Sequence, residues 1–198
     1  MVTVLSLVLG AAGVIAALYF GFDNRKIRTR INRFTWHDID SGVKHLAKEV
    51  ESSFEPDIIV CSSAGSVGIV ANLYLTYTKR FVPLYVGVSK AKDAAFTSPP
   101  VFSSAYKTDK WETFLPDLST VAAERVLILE DVVITGSTMR RIADLLAKSG
   151  FQADQIKTAA LFVTDVARQQ DAEPDFSWKF VGSSLFELPW DSSFGKSV

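Results

Sequence analysis

"VLILEDVVITGSTM", residues 126–139, decides the fold of this chain. Val126 to Leu129 is an unbroken apolar run, the pattern of a strand buried on both faces. Beyond the Thr-Gly-Ser-Thr turn, Met139, Ile142, Ala143 and Leu146 recur at helical spacing, and Gly150 stops that helix where a left-handed cap is expected. Glu130 and Asp131 therefore fall at the carboxyl end of a strand. The turn after them opens a helix whose first backbone N–H groups have no partner within the helix, a natural phosphate site.

On the amino-terminal side, Val43, Leu46, Ala47, Val50 and Phe54 line one face of a helix near 39–53, and "DIIVC", residues 57–61, reads as a second buried strand. A small-residue turn, "SSAGSVG", residues 62–68, leads into apolar residues from Val67 to Tyr77 that predict another helix. "FVPLYVGV", residues 81–88, predicts a strand, with Pro83 marking an edge or a strand start. Residues 89–120 are rich in Lys, Ser, Pro and Asp without a sustained period, as expected of an active-site flap or a disordered connection. "IKTAALFV", residues 156–163, is one more buried strand. Strands alternating with helices predict an α/β fold, a mainly parallel twisted sheet flanked by helices, with ligands at the carboxyl ends of the strands.

Composition sets the outer limits. A chain of 198 residues with 48% hydrophobic content can bury one sizeable core. Residues 2–22 carry no charge, and as a helix they would span roughly 31 Å, which matches a bilayer core. The expectation is a transmembrane signal anchor over 1–22; the alternative is a buried helix of a globular protein. The segment 23–36 contains Arg25, Lys26, Arg28, Arg30 and Arg33 against Asp23, and such flanks stay in the cytoplasm, so the domain over 37–198 is expected to face the cytosol as part of a single-pass membrane protein. With a net charge of -1 the chain has no nucleic-acid footprint beyond that flank. Cys61 is the only cysteine, which excludes an intramolecular disulfide and suits a reducing compartment; it is expected in the core of its strand. His37 and His45 have no metal-ligand spacing and are expected at the surface or at a cap.

The stretch 126–139 resembles the signature of the type I phosphoribosyltransferases: four apolar residues, two acids, two apolar residues, a variable position, then Thr-Gly-x-Thr. "PDIIVCSSAGSVGIV", residues 56–70, is similar to that family's pyrophosphate loop, residues 89–120 to its flap, and "LFELPWD", within a hood at 178–194, to the hood of the hypoxanthine/xanthine-guanine branch. The resemblance implies roles. Glu130 and Asp131 would accept hydrogen bonds from the ribose hydroxyls as the catalytic acids. Thr135, Gly136, Ser137 and Thr138 would cradle the 5'-phosphate of phosphoribosyl pyrophosphate, and Ser63, Ala64 and Gly65 would meet its pyrophosphate. Ile134, Leu185, Phe186 and Trp190 would face the base, Asp191 would contact the metal, and Mg2+ would be the cofactor. A homodimer is usual in that family.

Departures from the branch lie on the base side. The variable position, an aspartate in the 6-oxopurine enzymes, is Ile134; Thr164 stands where that branch has a lysine; Leu185 falls where an aromatic stacks on the base. The Lys or Arg common before the family's glycine pair is absent, with Ser63 and Ala64 there instead. The sequence thus implies a membrane-anchored phosphoribosyltransferase that joins ribose 5-phosphate to a nucleobase-like acceptor. Two alternatives stand beside it: a non-catalytic sensor of phosphoribosyl pyrophosphate or a nucleotide, and an effector that consumes nucleotide precursors. Lys107, Lys110 and Trp111 in the flap could contact pyrophosphate or lie solvated.

Overall fold

A computed structural model describes residues 32–62, 65–78, 80–91, 102–107, 111–182 and 186–191, with the backbone alone for 65–66, 89–91, 102–107 and 111. The described chain falls into two units. In the small one, strand β1 (Asn32–Arg33) pairs in parallel with β9 (Phe186–Glu187), and the Phe34 N–H donates to the Glu187 carbonyl at 3.0 Å.

The large unit is built on a seven-stranded sheet in the order β4-β5-β3-β2-β6-β7-β8. Its strands are β2 (Ile58–Ser62), β3 (Leu84–Ala91), β4 (Phe102–Lys107), β5 (Trp111–Pro116), β6 (Val126–Val133), β7 (Ile156–Thr164) and β8 (Phe176–Gly182). The ladders joining β3, β2, β6, β7 and β8 are parallel, and those joining β3 to β5 and β5 to β4 are antiparallel. The helices are α1 (Trp36–Ser53), α2 (Gly65–Tyr77), α3 (Ser137–Lys148) and the short α4 (Asp165–Gln169).

Local chemistry sets these boundaries. Thr35 and Asp38 form a reciprocal capping box, the Thr35 Oγ1 accepting from the Asp38 N–H at 3.2 Å and Asp38 Oδ2 from the Thr35 N–H at 2.8 Å, so α1 begins at Trp36, three residues ahead of the expected start. Such a cap is worth about 1 kcal/mol. Helix α1 buries Ile39, Val43, Leu46 and Val50 and brings Gly42 against Trp178, where a Cβ would lie 2.3 Å from the indole. Trp178 in turn meets Phe162 edge-on at 5.5 Å between ring centres. On α3's side, Met139, Ile142, Leu145 and Leu146 join Ile58, Val60, Val126 and Ile128 in one apolar cluster. Pro83 directly precedes β3, which lies inside the sheet, so it marks a strand start and not an edge.

Two stretches differ from their sequence reading. Within 89–120, where the sequence predicts an active-site flap or a disordered connection, β4 and β5 form an antiparallel hairpin on β3. The strand was hidden because Thr113, Phe114 and Leu115 are buried consecutively, which breaks the alternation that announces a strand. Residues 178–182, placed in the hood, belong to β8 of the large sheet. No helix among the described residues is long and apolar enough to cross a membrane, and the expected anchor at 2–22 lies outside them.

Candidate functional site

The site grows from the centre of the sheet. Strand β6 sits between β2 and β7, and its first five residues are buried. Successive side chains of a strand point to opposite faces, so Glu130 shares a face with Val126 and Ile128 while Asp131 emerges on the other. By the same alternation Ser62 of β2 lies on Glu130's face; its Oγ donates to Glu130 Oε2 at 3.4 Å. Glu130 is only 6% exposed, and its Oε1 has no hydrogen-bond partner among the described residues. Burial first, then the charge of Asp131, push its carboxyl up to about 8, against weaker opposing pulls from the Ser62 hydroxyl and the Arg141 cation. Asp131 is half-buried, and its Oδ1 accepts from the Val132 N–H at 2.8 Å.

Ile134, Thr135 and Gly136 turn the chain from β6 into α3. Gly136 has φ +65°, a left-handed conformation, and a Cβ there would stand 2.6 Å from Ala172 Cβ and 3.1 Å from its carbonyl oxygen. Both facts demand glycine. The N-cap residue Gly136 offers α3 no side-chain cap; the Ser137 N–H donates to Thr135 Oγ1 at 3.4 Å, and the next N–H groups of the first turn have no partner within the helix. The Thr135 hydroxyl donates to Ser137 Oγ at 3.1 Å. A cleft of about 300 Å³ opens over this turn, lined by Glu130 and residues 132–139. Thr164, at the end of β7, holds the turn in place: its hydroxyl donates to the Ile134 carbonyl at 3.1 Å and accepts from the Ala167 N–H at 3.4 Å as the cap of α4. Ile134 itself is 57% exposed.

The structure thus gathers Glu130, Ile134, Thr135, Gly136, Ser137 and Thr138 around one cleft, with Asp131 on the opposite face of the same strand end. Gly65 opens α2 directly beyond β2, at the same edge of the parallel sheet. Ser63, Ala64, Lys110 and Leu185 lie outside the described residues, and Lys107 and Trp111 are described by backbone alone. Phe186 and Trp190 are half-buried in the small unit, where Asp191 Oδ2 accepts from the Leu188 N–H at 2.7 Å and closes a turn. His37 is exposed, and His45 lies 3.9 Å from Glu49. Cys61 is buried, and burial pushes its thiol up to about 12. No group of three or more His, Cys, Asp or Glu residues among those described could hold a metal ion.

Sequence reasoning missed Arg141. It is 8% exposed, with Nε donating to Thr113 Oγ1 at 2.9 Å and Nη2 to Thr138 Oγ1 at 3.2 Å. Its signal was present: an arginine set into the stripe of Met139, Ile142, Leu145 and Leu146 that turns inward.

Parallel strands ending in a left-handed glycine turn, a helix start and a buried carboxyl group make an α/β domain with its cleft at the carboxyl ends of the strands. The chain belongs to the phosphoribosyl transferase domain family, which matches residues 34–194. It is 27% identical over 156 residues to the hypoxanthine-guanine phosphoribosyltransferase of Aquifex aeolicus, covering 77% of this chain and 76% of that protein. It is 41% identical over 73 residues to the human phosphoribosyltransferase domain-containing protein 1, covering 37% of this chain and 28% of that one. In fold it is similar to the purine phosphoribosyltransferase of Pyrococcus horikoshii, with a TM-score of 0.57 at 21% identity over 82% of this chain and 94% of that one.

Proposed function

We propose that this protein is a phosphoribosyltransferase that binds phosphoribosyl pyrophosphate and transfers its ribose 5-phosphate to a ring nitrogen of a purine base, releasing pyrophosphate. The observation that carries the reading is the start of α3 behind a glycine locked in the left-handed conformation, facing a cleft with a buried carboxyl group. The family match and the purine-acting names of its relatives support it.

In this reading the 5'-phosphate lies against the N–H groups of Ser137, Thr138 and Met139, where the helix dipole and the absent Cβ of Gly136 favour a close anion. Glu130, neutral near pH 7, both donates to and accepts from a ribose hydroxyl, whereas Asp131 accepts only. Mg2+, when bound, neutralises the departing pyrophosphate. Asp131, the half-exposed acid at the end of β6, is the side chain that would face such a hard cation, and the described residues offer no group of three acids or histidines to hold it. Thr164 is committed to holding the Ile134 carbonyl, so the base meets the apolar flank of Ile134 in place of a charged side chain.

Phosphorus NMR of the chain with phosphoribosyl pyrophosphate, Mg2+ and, in turn, hypoxanthine, guanine, xanthine and adenine tests this. Pyrophosphate and one nucleoside monophosphate are expected, and Asp131→Ala abolishes both. A substrate spectrum unchanged by every base overturns the transfer reading.

We also propose that residues 2–22 tether the domain to a membrane with the basic segment on the cytosolic side, on the strength of their length without charge and the Arg-rich flank. Deleting 1–22 should release the protein from the membrane fraction; retention there refutes the tether.

A further inference from the structure

We propose that Arg141 is a positioning residue, one that fixes the Thr138 hydroxyl as a donor toward the bound phosphate and holds the phosphate turn in register with the β4–β5 hairpin. The inference rests on the phosphoribosyl reading of the cleft.

Arginine at this position is costly. Residue 141 lies on the inward stripe of α3, where leucine or methionine would pack without loss, and burying a guanidinium is tolerated only with good partners. Among its partners are two threonine hydroxyls from distant places. Thr113, 1% exposed, belongs to β5, the returning strand of the hairpin; Thr138 lies in the first turn of α3 and lines the cleft. One side chain therefore bridges the hairpin and the turn.

The direction of those hydrogen bonds matters. A guanidinium donates and never accepts, whereas a hydroxyl has one proton to give and two lone pairs to offer. Thr138 must accept from Arg141, so its own proton points elsewhere, and the cleft it lines is the place for an anionic acceptor. The result is one more oriented donor beside the N–H groups of α3. The guanidinium adds positive charge beneath the turn, in a buried setting where water screens it little. That charge reaches Glu130 on the same face of the sheet.

Steady-state kinetics and titration of ribose 5-phosphate into the 198-residue chain test the proposal. Arg141→Met should raise the Kd for ribose 5-phosphate and the KM for phosphoribosyl pyrophosphate about tenfold, with kcat changed far less, as expected for a lost charge-assisted hydrogen bond. Thr138→Val should weaken both in the same direction, and the double variant should be no weaker than the more affected single one, since both changes remove one interaction. Arg141→Lys should restore part of the affinity by reaching one of the two hydroxyls.

Fully additive losses, or an unchanged Kd in well-folded Arg141→Met, overturn the proposal. Should Arg141→Met fail to fold, Thr113→Val decides: it lies outside the cleft, and an unchanged Kd in that variant would equally overturn the bridge. A wild-type chain that binds neither ribose 5-phosphate nor phosphoribosyl pyrophosphate overturns the phosphate reading and this inference with it. Binding by the wild type with indifferent variants overturns this inference alone.

Discussion

Two hollows of the large unit make an instructive pair. The cleft over residues 132–139 is about 300 Å³, and the groove lined by α1, Glu55, Tyr77 and Arg80 is about 500 Å³. The larger one is locally content. Arg80 Nε donates to Glu51 at 3.1 Å and its Nη2 to the Pro56 carbonyl at 2.7 Å; the Tyr74 hydroxyl donates to Glu51 at 3.0 Å, the Tyr77 hydroxyl donates to Asp40, and the Lys44 ammonium lies 5.9 Å from the centre of the Tyr77 ring. The smaller one holds a carboxyl oxygen without a partner among the described residues, a left-handed glycine and a helix whose N-cap residue has no side chain to cap it. Volume does not mark the site; groups that cost the fold free energy do, because a fold retains them where a ligand repays the cost.

The largest test of this contrast is Gly136→Ala. The substitution forces an L-residue into the left-handed region and a methyl group onto Ala172, so a loss of roughly 2–4 kcal/mol in stability is expected, together with loss of phosphoribosyl pyrophosphate binding. Chemical denaturation reads the first and titration the second. A variant as stable as the parent would show that the turn carries no strain, and the contrast with the α1 groove would lose its main support.

Next in size is Glu130→Gln, followed against pH. The folded carboxyl titrates near 8 against an ordinary 4.5, so the fold favours the neutral form. Its share of stability is intact below about pH 4.5 and is lost as pH rises to about 8, where the unfolded chain has already released the proton. Glutamine lacks that titration. The variant should match the parent in stability at the acid end of this window and exceed it at the alkaline end by a few kcal/mol, on the order of 4 at most, with Tm moving in the same direction. A Tm difference that stays constant with pH would mean that Glu130 is not held neutral.

The sequence carried the strand, turn and helix of 126–148 because β6 is buried on both faces and α3 on one, and those two patterns are the plainest a chain can write. The same holds for β2 and β7. Burial that does not alternate was harder to see, as at Thr113–Leu115. Within the site, the turn was legible from Thr135 and Gly136, but the unequal standing of Glu130 and Asp131 was not. Adjacent acids look alike in a sequence; the pleat and the cover of α3 separate a buried, protonated group from a half-exposed one. Arg141 and Thr113, 28 positions apart, meet only because the hairpin folds back onto α3. Thr164 meets Ile134 only through the register of β6 on β7.

That last contact supplies a smaller test. Thr164→Val keeps the side-chain volume while removing a hydrogen bond to the turn and the cap of α4, a loss of about 1–2 kcal/mol. If Thr164 positions the Ile134 flank, the KM for the base should rise more than that for phosphoribosyl pyrophosphate. Equal changes in both would reduce Thr164 to a structural cap.

The smallest expected effect belongs to the larger hollow and is the sharpest check on the comparison. Lys48 is an exposed residue on α1 and lines the α1 groove without a role in the Glu51, Arg80 and Pro56 contacts that hold its far side. Surface substitutions away from caps, cores and paired charges leave stability nearly unchanged. Lys48→Ala should therefore leave the KM for phosphoribosyl pyrophosphate and kcat within about twofold of the parent. A large loss of activity would mean that a hollow with its polar groups already paired still serves the reaction, and that unpaired or strained groups are the wrong guide to where this fold does its chemistry.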